Sequence, residues 1–148
     1  MAYYARLLFK EVASVPSAET VLEAVRLMRR KSVGCVVVAD EGKIAGVFTE
    51  RDIMRAVSEE LDLRTTPVSQ VMTRDPLSVD CAEPLERVFE LLSRGRFRHV
   101  IVTEGGRPAG IASLGDFAGV LREVFSDSRY IQYFVDYLSQ TQREGRKI

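Results

Sequence analysis

The stretch Gly46-Val47-Phe48-Thr49-Glu50-Arg51-Asp52 returns 64 residues later as Gly110-Ile111-Ala112-Ser113-Leu114-Gly115-Asp116. Each reads as a strand running into a helix: apolar residues after a glycine, then a hydroxyl, then an acid three positions on. Outward from this point the same offset aligns the sequence with itself without a gap. Ser14-Val15 falls on Ser78-Val79, Ala18-Glu19 on Ala82-Glu83, Leu27 on Leu91, Val36 and Val38 on Val100 and Val102, and Ala45 on Ala109. Self-similarity at one fixed period is the mark of a repeated structural unit.

Each copy has the same order of signals. A short extended segment (Glu11 to Val15; Asp75 to Val79) precedes a helix. The helix is read from apolar residues at helical spacing, Val21, Ala24, Val25, Leu27 and Met28 in one copy and Leu85, Val88, Phe89, Leu91 and Leu92 in the other. Pro84 suits the first turn of the second of these helices. A β-branched run, Val36-Val37-Val38 or Val100-Ile101-Val102, leads through a tight turn into a second strand and helix. The expected fold is therefore α/β (α+β): two β-α-β-β-α repeats sharing a core across a pseudo-twofold axis, followed by a C-terminal helix. The expected boundaries are residues 7–60 for the first repeat, 61–70 for a linker punctuated by Pro67, 71–124 for the second repeat, and 125–148 for the helix and tail. The tail is expected to carry an apolar stripe of Tyr130, Ile131, Phe134, Val135 and Leu138.

Composition narrows the function. Lysine plus arginine and aspartate plus glutamate both number 21, so no global basic field draws in nucleic acid or an anionic membrane. No apolar run reaches the roughly 20 residues of a membrane span, and Met1 to Lys10 does not read as a signal peptide. Cys35 and Cys81 sit in unrelated contexts with a single histidine, His99, which argues against a structural zinc site. They are expected to be reduced thiols of a cytoplasmic protein.

The repeated motif carries the chemistry. Gly46 and Gly110 allow something to approach the strand backbone closely. Thr49 and Ser113 stand where a strand becomes a helix, and the helix start favours an anion. Asp52 and Asp116, one turn in, offer a carboxylate to a diol such as ribose. The same residues also make a helix-capping pattern, and repetition alone does not separate the two meanings. Arg94, Arg96, Arg98 and His99 precede the second copy's strand, whereas the first copy has Gly34 and Cys35 opposite Arg98 and His99. Guanidinium groups there can pair with phosphate, although a solvated basic turn would look alike.

These motifs, together with Val71-Met72-Thr73-Arg74-Asp75-Pro76 before the second copy, strongly resemble the cystathionine β-synthase (CBS) domain in its tandem form, the Bateman module, of the stand-alone bacterial or archaeal type. The resemblance covers roughly Leu7 to Leu121. The first copy departs from the opening motif, with Leu7-Leu8-Phe9-Lys10-Glu11 in its place. The resemblance implies two clefts for adenosine-containing ligands. Asp52 and Asp116 would hold ribose, while Thr49 and Ser113 would contact phosphate or ribose. Adenine contacts would come from near Leu8, Ala13 and Val33 in the Asp116 cleft, and from near Met72, Leu77 and Phe97 in the Asp52 cleft. It also supports Arg98 and His99 as phosphate contacts, assigned to the Asp116 cleft as the better site for a charged nucleotide, with Arg51 serving the other.

The function expected is a regulatory module that senses an adenine nucleotide (AMP, ADP or ATP), forms a homodimer and signals to a separate effector protein. Alternatives are a structural dimerisation module with ligand-free clefts, or a site for S-adenosylmethionine or NAD. A catalytic triad, a metal cluster and a phosphate loop with lysine cannot be drawn from these residues, so no enzyme and no catalytic cofactor are expected.

Overall fold

A computed structural model describes residues 10–93, 98–113, 115–116 and 118–119 of the 148. The chain divides into two compact units, 1–113 and 114–148. The first unit contains β1 (Lys10–Glu11), β2 (Ser14–Val15), α1 (Val21–Lys31), β3 (Cys35–Asp40), β4 (Lys43–Thr49), α2 (Glu50–Ser58), α3 (Val68–Val71), β5 (Thr73–Arg74), β6 (Ser78–Asp80), α4 (Leu85–Ser93), β7 (His99–Glu104) and β8 (Arg107–Ser113). In the second unit, Gly115, Asp116, Ala118 and Gly119 are helical. The apolar stripe expected between Tyr130 and Leu138 lies outside the described residues.

The repeat is written into the hydrogen-bond ladders. In the hairpin of β3 and β4, Cys35 faces Thr49, Val36 faces Phe48 and Val38 faces Gly46. In the hairpin of β7 and β8, His99 faces Ser113, Val100 faces Ala112 and Val102 faces Gly110. Every pair is displaced by the same offset, and the register shift after Val38 recurs after Val102. Both hairpins turn through two residues of positive φ, Glu41 and Gly42 in one and Gly105 and Gly106 in the other. Such turns match the twist of the flanking strands. Among the described residues the architecture is mixed α+β, with two four-stranded sheets.

The extended opening segment of each copy is two short strands, not one. The first joins the sheet of the other copy. β1 pairs antiparallel with β8, giving the order β1-β8-β7-β6, and β5 pairs antiparallel with β4, giving β2-β3-β4-β5. Each sheet is thus closed by a strand from the opposite repeat. The exchange is not perfectly symmetric: Glu11 lies opposite Gly110, whereas Gly46 lies opposite Arg74, the counterpart of Lys10. After Arg74 the chain turns at Asp75, whose φ is 49°. An aspartate tolerates that region better than most residues.

Burial explains the strand sequences. Val36, Val37 and Val38 are all fully buried, and Val100, Ile101 and Val102 nearly so. A strand covered on both faces reads as a continuous apolar run. Val36, Val38 and Phe48 pack with Val21, Ala24 and Met28 of α1 and Ala56 of α2. Val37 and Val47, paired with each other, occupy the other face. Phe89, expected on the apolar face of α4, is about half exposed. Val88 and Leu92 are the fully buried positions of that helix.

The segment 61–70 is tied to α1. The Val21 and Leu22 N–H groups donate to the Thr66 and Leu63 carbonyls, both at 2.9 Å, and the Val68 N–H donates to the Glu19 carbonyl at 2.8 Å. These bonds satisfy helix-start donors that would otherwise lack partners. The Thr20 hydroxyl accepts from the Glu23 N–H at 3.2 Å and completes the cap. Leu61 and Leu63 lie against the core, and Val68 and Val71 are within it.

Candidate functional site

β4 ends at Thr49 and α2 begins at Glu50 because the Thr49 backbone is extended while its neighbours turn helical. The acid one turn on secures the junction. The Thr49 N–H and hydroxyl both donate to Asp52 Oδ2 at 2.9 Å. Arg55 donates to Asp52 Oδ1 at 3.0 Å, and the Thr73 hydroxyl approaches the same oxygen at 3.5 Å. Arg55 also donates to the Val71 carbonyl. The Asp52 side chain is almost wholly buried, and four donors converge on it. The capping role that the sequence leaves open is therefore realised at this residue.

Over this junction lies a cavity of about 350 Å³, at the small end of the roughly 300–1,000 Å³ typical of small-molecule sites. Thr49, Glu50, Arg51, Asp52, Met54 and Arg55 form one side. Gly34 and Val47 line it from the same copy, and Thr73, Arg98 and His99 reach it from the other. Three guanidinium groups face two carboxylates, with the start of α2 beneath. Arg51 and Arg98 are exposed and able to reorient. The arrangement can hold an anion by paired guanidinium contacts and a helix start.

The structure brings together Thr49, Arg51, Asp52, Arg98 and His99, five of the residues selected from sequence. Arg98 and His99, which the resemblance groups with Asp116, stand on the wall of the Asp52 cavity. Repeat symmetry explains this. Gly34 and Arg98 hold equivalent places at the starts of β3 and β7, and both line one cavity. The remaining candidates are elsewhere. Met72 is a core residue beneath Gly46, with its sulfur 2.7 Å from where a Cβ on that glycine would stand. Ala13 and Val33 pack against the core of the first repeat. Leu77 does not line the cavity, and its carbonyl accepts from the Ile101 N–H at 2.8 Å. Ser113 ends β8 opposite His99. Asp116 is a half-buried helical residue of the second unit. Leu8 and Phe97 lie outside the described residues.

Sequence reasoning missed Arg55, Thr73 and Glu50. Arg55 could have been found from its spacing to Asp52, since residues three apart on a helix face each other. Thr73 is reached only through the strand exchange, which no local pattern announces.

The fold and this cavity define a tandem pair of CBS domains. The family model described as "CBS domain" matches residues 5–59 and 68–123. The chain belongs to that family. It is 33% identical over 109 residues to the CBS domain-containing protein YhcV of Bacillus subtilis, covering 73% of this chain and 77% of that one. It is 31% identical over 123 residues to the CBS domain-containing protein CBSCBSPB1 of Arabidopsis thaliana, covering 82% of this chain but spanning only 22% of that protein. Among solved structures, a CBS domain protein of Pyrobaculum aerophilum complexed with AMP superposes with a TM-score of 0.73 at 27% identity, covering 84% of this chain and 99% of that one. Among the described residues, no helix is long and apolar enough to cross a membrane.

Proposed function

We propose that this chain is a non-catalytic regulatory module that binds an adenine nucleotide of the AMP, ADP or ATP type and passes its occupancy to a partner protein. The observation that carries this reading is the cavity at the start of α2, where Arg51, Arg98 and His99 from two repeats converge on one helix start. A phosphate there would meet two exposed guanidinium groups, and a ribose would meet the Thr49 and Asp52 pair. The AMP held by the related archaeal protein supports the same ligand class. A homodimer is the assembly in which we expect it to act.

The second reading, a structural module with unliganded clefts, is favoured by one specific observation. The Asp52 carboxylate already accepts from the Thr49 backbone, the Thr49 hydroxyl and Arg55. Calorimetric titration with AMP, ADP, ATP, NAD and S-adenosylmethionine separates the two. Saturable binding of an adenine nucleotide that weakens when Arg98 and Arg51 become alanine supports the regulatory module. Silence for all five ligands overturns it.

A further inference from the structure

We infer that Arg55 is a positioning residue that keeps the Asp52 carboxylate closed, and that a ribose diol must displace it to bind. The inference rests on the nucleotide reading above and deepens it. Asp52 is 2% exposed. Its Oδ2 accepts two bonds from Thr49, which hold the strand-to-helix junction and cannot be given up without loosening α2. Its Oδ1 accepts from Arg55 and lies near the Thr73 hydroxyl. A carboxylate oxygen has about two lone-pair sites, so a diol has access only where a current donor yields. Arg55 is the donor able to yield: its side chain is 47% exposed, and the guanidinium can keep its bond to the Val71 carbonyl or turn to water. It also lines the cavity into which the ligand would come.

The contact has a second consequence. Through the Val71 carbonyl, Arg55 joins α2 to α3 and thus to β5, the strand that the second repeat lends to the first sheet. Where the displaced Arg55 turns to water and gives up the Val71 carbonyl as well, that seam would loosen at the moment of binding. The device belongs to one repeat only, because Gly119 stands where the second copy would need its arginine.

The test compares AMP with 2′,3′-dideoxy-AMP by calorimetry. The chain carries Asp116→Ala, so that the Asp52 cleft dominates the signal. Arg55→Leu should bind AMP about fivefold more tightly, the upper value for a half-exposed ion pair, and should leave the dideoxy compound within about twofold. Arg55→Lys, which keeps the charge but loses the fork, should fall between parent and Arg55→Leu, and it carries the test if the leucine variant does not fold. Parallel weakening of both compounds would make Arg55 a phosphate contact and overturn the inference, as would unchanged affinity for AMP. Failure of the chain with an unsubstituted Arg55 to bind any adenine nucleotide would instead overturn the nucleotide reading, and the inference with it.

Discussion

The Thr73 carbonyl oxygen lies 2.6 Å from the point where a Cβ on Gly46 would stand. The glycine that opens the strand-to-helix motif therefore serves the exchanged strand: its missing side chain is the space through which β5 and Met72 pass. Gly46→Ala forces a backbone shift and should cost about 1–3 kcal/mol, the usual range for overpacking. Thermal unfolding checks this. An unchanged melting temperature would mean that β5 can move aside freely.

Asp52 joins two helical turns to two strands, so its loss should be felt first as instability. Asp52→Ala leaves the Thr49 N–H and the donors from Arg55 and Thr73 without their acceptor, and about 2–3 kcal/mol of destabilisation is expected. Asp52→Asn retains one oxygen and should cost less. Urea midpoints for the two variants measure the difference. Equal midpoints would show that the retained oxygen contributes nothing and that the charged carboxylate is what holds the junction.

Arg51 and Arg98 are exposed, so their removal should separate binding from folding. Arg98→Ala and Arg51→Ala are each expected to weaken nucleotide binding by about tenfold, as for one charge-assisted contact. Melting should change by no more than the small amounts usual for surface substitutions. The weakening should shrink at high salt. A large fall in melting temperature would place these residues in the framework instead.

Asp40 gives the chain a predictable response to acid. The Ser17 backbone N–H donates to Asp40 Oδ1 at 2.9 Å and, with the Ser17 hydroxyl, holds the carboxyl below its ordinary value. The carboxylate therefore contributes stability above the unfolded value of about 3.9, and that contribution is lost as pH falls through the lower folded value. In Asp40→Asn the drop in melting temperature between pH 7 and pH 3 should be smaller than in the parent. An equal or larger drop would remove Asp40 from the acid response.

Much of this fold was legible in the sequence. The offset that maps Val36 onto Val100 also maps the hairpin pairing of β3 and β4 onto that of β7 and β8, because burial fixes strand register. The strand exchange was not legible. β1 and β5 have two residues each, too few for any period to show, and what selects their partners is the open edge of a distant hairpin. The sequence marks Arg98 and His99 as candidate phosphate contacts, but the cavity they line follows from the meeting of the two repeats. The same holds for Met72: its place in the core under Gly46 cannot be read until β5 is placed.

The borrowed strands bear on how such a chain could have arisen. A lone repeat of this design would present the bare edge of β4 at Gly46 and Val47, with its own opening strand projecting outward. It could complete its sheet only with the opening strand of a second molecule, so the simplest ancestor is a short polypeptide that existed as a reciprocally swapped pair. Fusion of two such genes would turn an association between molecules into one within a single chain, at a far higher effective concentration. Separating the repeats again by cleavage within residues 61–70 should yield halves that find each other.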